Sequence, residues 1–373
     1  MRAAVQLTEE SLSIGMIVPW DVYDSGGLML METGSIIASE KTLHALIKRG
    51  AFYYQNQNSE KQQKIRLQRG NSPFYKIAEF ADRLNNIFKM LLHNDTQAPD
   101  LISELAKDIR ELRRQHPNAV IGAVHLYHDV DYILSHPIHC AILCDLMGGA
   151  LALSPRQIAS CMCAALTANI SILTLQQTLH SQSTSMSKKQ LAAMKQHPRA
   201  SKSLLSRCGV SDSAWLNAVD QHHWHIDGSG YPDFGEQKPT LLAQLVGLTD
   251  EYSAMVVKRA YRSGLNARDC LREVFQERGK RFDEKLCVLL VKLMGVYPPG
   301  SIVKLNNGEI AVVVKRAEAH ERWPTSAAIL GSHGNPYTYA KLRNGNDPQF
   351  AIHTSVALDR YLQLDLHDIW RAS

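Results

Sequence analysis

Two adjacent histidines, His222 and His223, open a short polar segment that ends at Pro232 and whose residue types could bind a metal ion. Asp227 follows them, and then comes a Gly-Ser-Gly-Tyr-Pro run that only a tight, irregular loop accommodates. Imidazole and carboxylate groups bind divalent ions, so one interpretation is a metal or phosphate site at a helix end. Two surface histidines before a turn are the other interpretation, and this segment alone favours neither.

Other residues of metal-ligand type stand far away in the sequence, inside apolar segments. They are His136, His197 and Asp250. Together with the histidine pair they would supply four imidazoles and one carboxylate. If a helical bundle brings them together, the set suits iron, manganese or zinc.

The segment that must position these side chains, residues 120–298, has helical periodicity and few strand signals. Ser154-Pro155 and Ser187 are suitable helix starts. The histidine pair falls at the end of one predicted helix. Helices are expected near residues 131–150, 155–172, 187–207, 211–223, 239–257, 266–277 and 283–294.

The flanking segments differ in character, which divides the chain into five parts. Residues 1–55 predict a small α/β module, with a hairpin of Gly15–Val18 and Leu28–Met31 and a helix from Ser39 to Arg49. Polar composition predicts a linker at 56–72, and apolar residues at helical spacing predict a lead-in at 73–119 that joins the main domain or pairs with a second copy. Around Asn306-Asn307-Gly308, residues 299–373 predict a β-rich appendage with a hairpin and further strands at 327–330 and 351–354. The predicted fold class is therefore mainly α, a helical bundle between two small β-containing modules.

Composition limits the function classes. The 373 residues are 45% hydrophobic and 21% charged, with a formal charge of +5, which describes a globular protein that does not require a nucleic-acid polymer. The seven cysteines form no C-x-x-C pair and predict reduced thiols in the cytoplasm. Cys140 and Cys144, four residues apart, could touch one metal, but a packed helix face is favoured. The longest apolar run, 158–173, is broken by polar residues and is too short for a membrane span.

Several motifs, in order, resemble the HD-GYP family of bacterial cyclic di-GMP phosphodiesterases. The segment ending at His136 is similar to the family's first-histidine helix, and Met194-Lys195-Gln196-His197-Pro198 to its M-K-x-H-P. The segment 222–232 resembles H-H-E-R-x-D-G-x-G-Y-P. Residues 243–250 resemble its A-x-I-x-x-V-A-D helix, and 258–262 its R-P-Y-[RK] segment.

The resemblance implies an HD-type bundle and a role in cyclic di-GMP signalling, with cyclic di-GMP or its linear product as the ligand. It implies that Arg259 and Arg262 meet the ligand phosphates. It also implies that a rim loop contacts diguanylate cyclase (GGDEF) domains. This loop carries Asp227, Gly228, Gly230, Tyr231 and Pro232. A homodimer is a further expectation.

The chain departs from the family where the namesake H-D pair should stand. An ungapped alignment places Ala168 and Asn169 there, and Ile172 on the following lysine, while Trp224 replaces the glutamate of H-H-E. Since alanine has no donor atom and asparagine is a neutral, poor bridging ligand, the expectation is one divalent metal (iron, manganese or zinc) or none.

The surviving ligands divide into a stronger and a weaker set. The stronger set is His197, His222 and His223; the weaker set is His136 and Asp250. The sequence therefore predicts an impaired or inactive phosphodiesterase that acts as a receptor or regulatory partner. The alternative is an active enzyme of low or altered activity, in which His139 or His225 supplies a missing ligand.

Overall fold

The computed structural model describes residues 72–126, 130–256, 266–318, 320–356 and 364–371, together with residues 4–8, 12, 16, 18, 21–26, 28–31, 35, 37 and 39–54. The chain forms two compact units. One comprises Met1–Ser72 with Leu358–His367, and the other comprises Pro73–Ala357 with Asp368–Ser373. The five-part division of the sequence stays a prediction. The predicted linker at 56–72 lies outside the described residues except for Ser72.

The first unit is a small antiparallel sheet with one helix. Its strands are β1 (Ala4–Gln6), β2 (Val22–Tyr23), β3 (Met29–Met31) and β4 (Phe52–Tyr54), in the order β1-β4-β2-β3. The helix α1 (Glu40–Lys48) begins where the Ser39 hydroxyl accepts a hydrogen bond from the Thr42 backbone amide (3.1 Å), as the sequence predicted. β3 pairs with β2. Gly15 and Ile17, in the first strand of the predicted hairpin, lie outside the described residues, so that strand stays a prediction.

The second unit is a helical bundle followed by a β-sheet. Its helices within 73–294 are α2 (Pro73–Leu92), α3 (Ala98–Gln115), α4 (Pro117–Leu126), α5 (Tyr132–Ala150), α6 (Pro155–Thr167), α7 (Leu173–Ser181), α8 (Lys188–Arg207), α9 (Ser213–Gln221), α10 (Leu241–Val256), α11 (Ala267–Gln276) and α12 (Glu284–Met294). At the centre α5 packs against α6 and α10, and α9 lies against α6, α8 and α10. This arrangement confirms the predicted mainly α bundle.

The helix starts follow the capping residues. Ser154 and Ser187 each form a capping box with the glutamine three residues later, and these boxes begin α6 and α8. Asp212 caps α9 by accepting hydrogen bonds from two backbone amides. Because the caps of α8 and α9 fix where these helices begin, they also fix the height at which His197 and His222 enter the bundle.

One predicted helix is shorter than expected. The expected helix at 155–172 ends at Thr167, and a separate 3-10 turn (Ile170–Ile172) precedes α7. Asn169 takes a non-helical conformation between them (φ −103°, ψ 10°). The break therefore lies at the two positions where the H-D pair was sought. The helices α4 and α7 were not predicted.

A buried ion cluster links the lead-in helices to the bundle. Asp145 on α5 is 1% exposed, and its carboxylate contacts the Arg113 guanidinium and lies 3.2 Å from Arg110 Nε, both on α3. Since a buried carboxylate needs a charged or hydrogen-bonded partner, this contact holds α3 against α5.

The β-sheet after the bundle contains the predicted hairpin and both further predicted strands, together with one strand that was not predicted. Its strands are β5 (Ile302–Leu305), β6 (Ile310–Lys315), β7 (Thr325–Leu330), β8 (Pro336–Arg343) and β9 (Ile352–Ser355), all antiparallel in the order β8-β7-β6-β5-β9. Buried Glu309 accepts hydrogen bonds from Arg343 (2.7 Å at each carboxylate oxygen) and Tyr337 (2.6 Å). These bonds, that of Arg343 first, lower the pKa of Glu309 to about 2. A short helix, α13 (Leu366–Arg371), follows.

Two apolar helical segments, Tyr132–Ala150 and Pro155–Ser181, have the length and composition of a membrane span. Within the bundle, however, 83% and 67% of their most apolar windows are buried. A core helix of a globular protein has the same composition, so burial accounts for both segments.

Candidate metal centre

Three histidines from two helices meet in the bundle. His197 lies within α8 and is 1% exposed, His222 ends α9 and is 2% exposed, and His223 follows it. The ring centroids of His197 and His223 are 5.0 Å apart, and those of His222 and His223 are 4.1 Å apart. One nitrogen from each ring lies within 4.8 Å of the other two, so this three-histidine cluster can surround one ion.

Backbone carbonyls fix the tautomers of two of these rings. His197 Nδ1 lies 2.6 Å from the Met194 carbonyl oxygen, and His222 Nδ1 lies 2.7 Å from that of Val219. Because a carbonyl only accepts, each Nδ1 carries the proton and each Nε2 presents a lone pair. A ligating histidine has this arrangement, with one nitrogen held by the protein and the other directed at the metal.

The two Nε2 atoms face each other at 3.2 Å. With both rings neutral, neither atom can donate to the other, so their lone pairs converge on the same space. A tetrahedral ion with bonds of about 2.0–2.1 Å to nitrogen separates its ligands by roughly 3.3 Å. The observed separation therefore fits a shared ion.

The histidines of this cluster are held neutral. Burial, and next the charge of His222, lowers the pKa of His197 to about 3. Burial also lowers the pKa of His222 and of His223. Neutral imidazole is the form that binds a metal, so protonation does not compete with an ion at neutral pH.

A second cluster lies between α5 and α10. His136 Nε2 is 2.8 Å from Asp250 Oδ1, and Cys140 Sγ, one turn after His136, is 3.8 Å from the same Nε2. One atom of each residue lies within 4.8 Å of the other two, and we call these residues the thiol cluster. Burial would raise the pKa of Asp250, but the hydrogen bond and charge of His136 outweigh it and hold this pKa well below its usual range.

The loop after the histidine pair is a compact turn. Trp224 and Gly230 form an antiparallel bridge, and the Tyr231 amide donates to the His223 carbonyl oxygen (3.2 Å). Asp227 accepts from the Ser229 amide (2.9 Å) and hydroxyl (2.6 Å). Asp227 therefore shapes the turn.

Gly230 is required where it stands. Its φ is +116°, and a Cβ there would lie 2.1 Å from the His223 carbonyl oxygen. The Tyr231 ring in turn stacks on the His223 imidazole, with centroids 4.5 Å apart. Pro232 follows Tyr231 and closes the segment. The backbone and the aromatic ring of this loop thus set the position of the third histidine.

Comparisons with known proteins agree with this geometry. A family model described as an HD domain matches residues 102–286, which include both clusters. Similar curated proteins are the cyclic di-GMP phosphodiesterases PA4108 of Pseudomonas aeruginosa (26% identical over 221 residues, 59% of this chain and 52% of the relative) and PdeB of Borreliella burgdorferi (24% over 195 residues, 52% and 51%). The chain thus spans about half the length of these curated relatives.

A solved structure is also similar: Bd1817, an HDG"Y"P protein from Bdellovibrio bacteriovorus. It matches with a TM-score of 0.51 and 16% identity over 78% of this chain and 99% of that one. At this identity the likeness shows the fold. The chain belongs to the HD-GYP family.

The positions aligned with the HD-GYP H-D pair lie beside the thiol cluster. Ala168 is 2% exposed and has no donor atom, while the Asn169 amide nitrogen lies 3.5 Å from Asp250 Oδ1. Ser171 donates to the His197 carbonyl oxygen (3.1 Å), and Ile172 is buried where the family has lysine. The replacement of the H-D pair therefore leaves the Asn169 amide beside Asp250.

Neither histidine considered as a replacement ligand belongs to a cluster of potential metal ligands among the described residues. His139 is fully buried. His225 Nδ1 lies 2.8 Å from the Ser229 hydroxyl, and its Nε2 lies 3.3 Å from Arg281, which also pairs with Glu251 (3.3 Å). His225 therefore connects the loop residue Ser229 to Arg281 and stabilises the loop.

Sequence reasoning missed two residues of this site. One is Arg281, which holds the loop 227–232 in place: its side chain contacts His225, and its backbone carbonyl accepts a hydrogen bond from the Ile226 amide (3.2 Å). Cys140 was assigned to packing, although its spacing of four residues from His136 was the signal that could have identified it. The predicted phosphate-binding residues Arg259 and Arg262 lie outside the described residues.

Proposed function

We propose that this chain is a cyclic di-GMP signalling protein whose hydrolysis is impaired and which acts as a nucleotide receptor or as a regulatory partner of GGDEF and phosphodiesterase proteins. The observation that carries the proposal is Asn169. Its amide nitrogen lies 3.5 Å from Asp250, where a bridging carboxylate is expected of an active family member. The curated relatives, named as cyclic di-GMP phosphodiesterases, support the choice of nucleotide.

The expected loss of catalysis follows from the missing bridging carboxylate. Two-metal hydrolysis uses a bridging water and two ions that clamp the attacking and leaving oxygens. The three-histidine cluster retains the ligands for one ion, whether iron, manganese or zinc. Without the bridging carboxylate, several kcal/mol of transition-state stabilisation are lost, or roughly a thousandfold in rate.

Ligand recognition need not be lost with catalysis. The loop 227–232 keeps its turn and its contact with His223, and we assign it to docking of a GGDEF domain. We assign Arg259 and Arg262 to the ligand phosphates, because arginine binds phosphate in a bidentate manner. A cytoplasmic protein that binds cyclic di-GMP or its linear product is consistent with these roles.

A direct test measures binding and turnover on the same preparation. Purified full chain, loaded with manganese or iron, is titrated with cyclic di-GMP, and the linear products are separated by chromatography. We expect binding with little or no product. Wild-type turnover that His222→Ala abolishes would contradict the proposal and favour the alternative, a phosphodiesterase of low or altered activity. Absence of both binding and turnover would leave a scaffold.

Restoring the pair sharpens the test. The double variant Ala168→His/Asn169→Asp should raise product formation and bind a second equivalent of iron or manganese. The matched control, Ala168→His/Asn169→Gln, supplies the same imidazole with a neutral amide and should not. Equal activity of the two doubles would show that the bridging carboxylate is not what the chain lacks.

A further inference from the structure

The thiol cluster contains a ligand type that the metal sites of the proposed function do not use. Cys140 is 2% exposed, and its sulfur approaches the same His136 nitrogen that contacts Asp250. Thiolate, imidazole and carboxylate together form a donor set of the kind that binds zinc. An iron or manganese site built on carboxylates and imidazoles alone has a different preference.

The separations within this cluster lie on either side of those in a coordination sphere. They are 2.8 Å from His136 Nε2 to Asp250 Oδ1 and 3.8 Å from Nε2 to Cys140 Sγ. A tetrahedral zinc ion, with bonds of about 2.0–2.1 Å to nitrogen or oxygen and 2.3 Å to sulfur, separates such ligands by roughly 3.3–3.6 Å. Small side-chain adjustments would bring the three atoms onto one ion.

One buried polar atom of the cluster, His136 Nδ1, has no hydrogen-bond partner among the described residues. Ser253 is fully buried, lies one turn after Asp250 on α10 and is close enough to interact with the Cys140 thiol. A serine hydroxyl there can donate to a metal-bound thiolate. In the absence of an ion, burial raises the pKa of the Cys140 thiol.

Asn169 lies beside Asp250 of the thiol cluster. Its amide nitrogen faces Asp250 at 3.5 Å, but the oxygen and nitrogen of an amide exchange places by a simple flip. After a flip, the amide oxygen faces the cluster as a neutral oxygen ligand. The residue that weakens a two-iron site is thus compatible with a site whose negative charge comes from sulfur.

We propose that Cys140 takes over from the missing histidine and that His136, Cys140 and Asp250 form a second metal site selective for thiophilic divalent ions such as zinc or cobalt(II). On binding, the Cys140 S–H bond breaks and its proton passes to solvent, His136 Nε2 gives up the proton it donates to Asp250 and leaves the ring protonated at Nδ1, and sulfur–metal and nitrogen–metal bonds form. The inference goes beyond the proposed function, because this site binds its ion without nucleotide. The competing interpretation is a packed thiol that only donates to the Thr249 carbonyl oxygen (3.7 Å).

Cobalt(II) distinguishes the two interpretations, because cobalt bound to thiolate has an intense charge-transfer band in the near ultraviolet. Full-length protein, stripped of metal under reducing conditions, is titrated with cobalt(II) and then zinc, and bound metal is counted after gel filtration. We expect about two equivalents, with the band growing as the second site fills. All seven cysteines are buried, so surface thiols do not contribute.

Three variants complete the design. Cys140→Ser should lose the band and one equivalent. The matched control Cys144→Ser changes another buried thiol one turn along α5, whose sulfur lies 3.3 Å from Thr249 Oγ1, and should keep both. His222→Ala should lose one equivalent and retain the band, which assigns the band to the thiol cluster.

The proposal is overturned if wild-type protein binds cobalt without the band or keeps the band in Cys140→Ser. If Cys140→Ser does not fold, as judged by circular dichroism, the wild-type titration still decides. Cyclic di-GMP binding, measured separately, tests the proposed function independently of these results.

Discussion

Replacing Gly247 by alanine is expected to disturb the three-histidine cluster without touching any ligand. Gly247 lies on α10, three residues before Asp250, at the point where this helix crosses the end of α9. A Cβ built there meets the His222 carbonyl oxygen at 2.2 Å and the His222 carbonyl carbon at 3.3 Å. Both are backbone atoms, so no side-chain rotation relieves the contact.

The size of the disturbance follows from these distances. Ordinary contact begins near 3.4 Å, so α9 and α10 must separate by about 1.2 Å at this point. Overpacking of this kind costs roughly 1–3 kcal/mol in free energy of unfolding. The shift also moves His222 relative to His197, and a metal site tolerates only about 0.2 Å in its bond lengths. We therefore expect at least a tenfold loss of metal affinity.

Thermal unfolding of the metal-free protein and metal titration together measure both effects. The matched control is Gly149→Ala, at an exposed position in the last turn of α5 where a Cβ meets nothing within 4 Å. There alanine should be neutral or stabilising by up to about 1 kcal/mol, because it favours the helix. If Gly247→Ala unfolds at the wild-type temperature and binds metal with wild-type affinity, the close helix crossing does not position His222.

Two further predictions concern the loop and the β-sheet. Gly230→Ala would place a Cβ 2.1 Å from the His223 carbonyl oxygen and should weaken metal binding by the three-histidine cluster. Gly228 also has a positive φ, but a Cβ there meets open space, so Gly228→Ala should cost only about 1 kcal/mol of stability. Equal effects of the two variants on metal titration and on unfolding would refute the steric reason. Glu309→Gln should destabilise the protein by roughly 3 kcal/mol at pH 7, because Arg343 loses its charged partner. Since folding lowers the pKa of Glu309 from 4.5 to about 2, the carboxylate stabilises the protein fully above pH 4.5 and less as the pH falls towards 2. The difference in free energy of unfolding between wild type and variant, measured with denaturant, should therefore shrink over that range. A constant difference would contradict this prediction.

The bundle could be predicted because its signals are local. A serine followed three residues later by glutamine marks the starts of α6 and α8, and the chain obeys both signals. The short helix α4 was missed because it begins at Pro117, directly after α3, and its apolar residues 119–124 are continuous and show no one-sided helical spacing. In the sheet, β8 was missed because Tyr337, Tyr339 and Lys341 alternate with polar and small residues and no apolar run marks the strand.

The site could be predicted only where residue type and motif indicate a metal ligand. His197, His222 and His223 could be grouped from their motifs, and the structure brings them together. Cys140 carries only the weak signal of its spacing from His136, because a cysteine inside an apolar helix is far more often a packed side chain. Its relevance depends on the distance from its sulfur to an atom of Asp250, 110 positions away, which only the crossing of α5 and α10 determines.

The two clusters differ in what holds them in place, and that difference explains how one can persist while the other changes. Met194 and Val219, whose carbonyls orient His197 and His222, belong to the same helices as those histidines, three residues before each. This half of the centre is therefore preorganised by α8 and α9 themselves and needs no second ion. The other half depends on contacts across α5, α10 and the break after α6, so a substitution at Asn169 alters its ligand field directly. A thiol one turn from His136 lies within the same crossing and can restore a negatively charged ligand there without disturbing the three histidines.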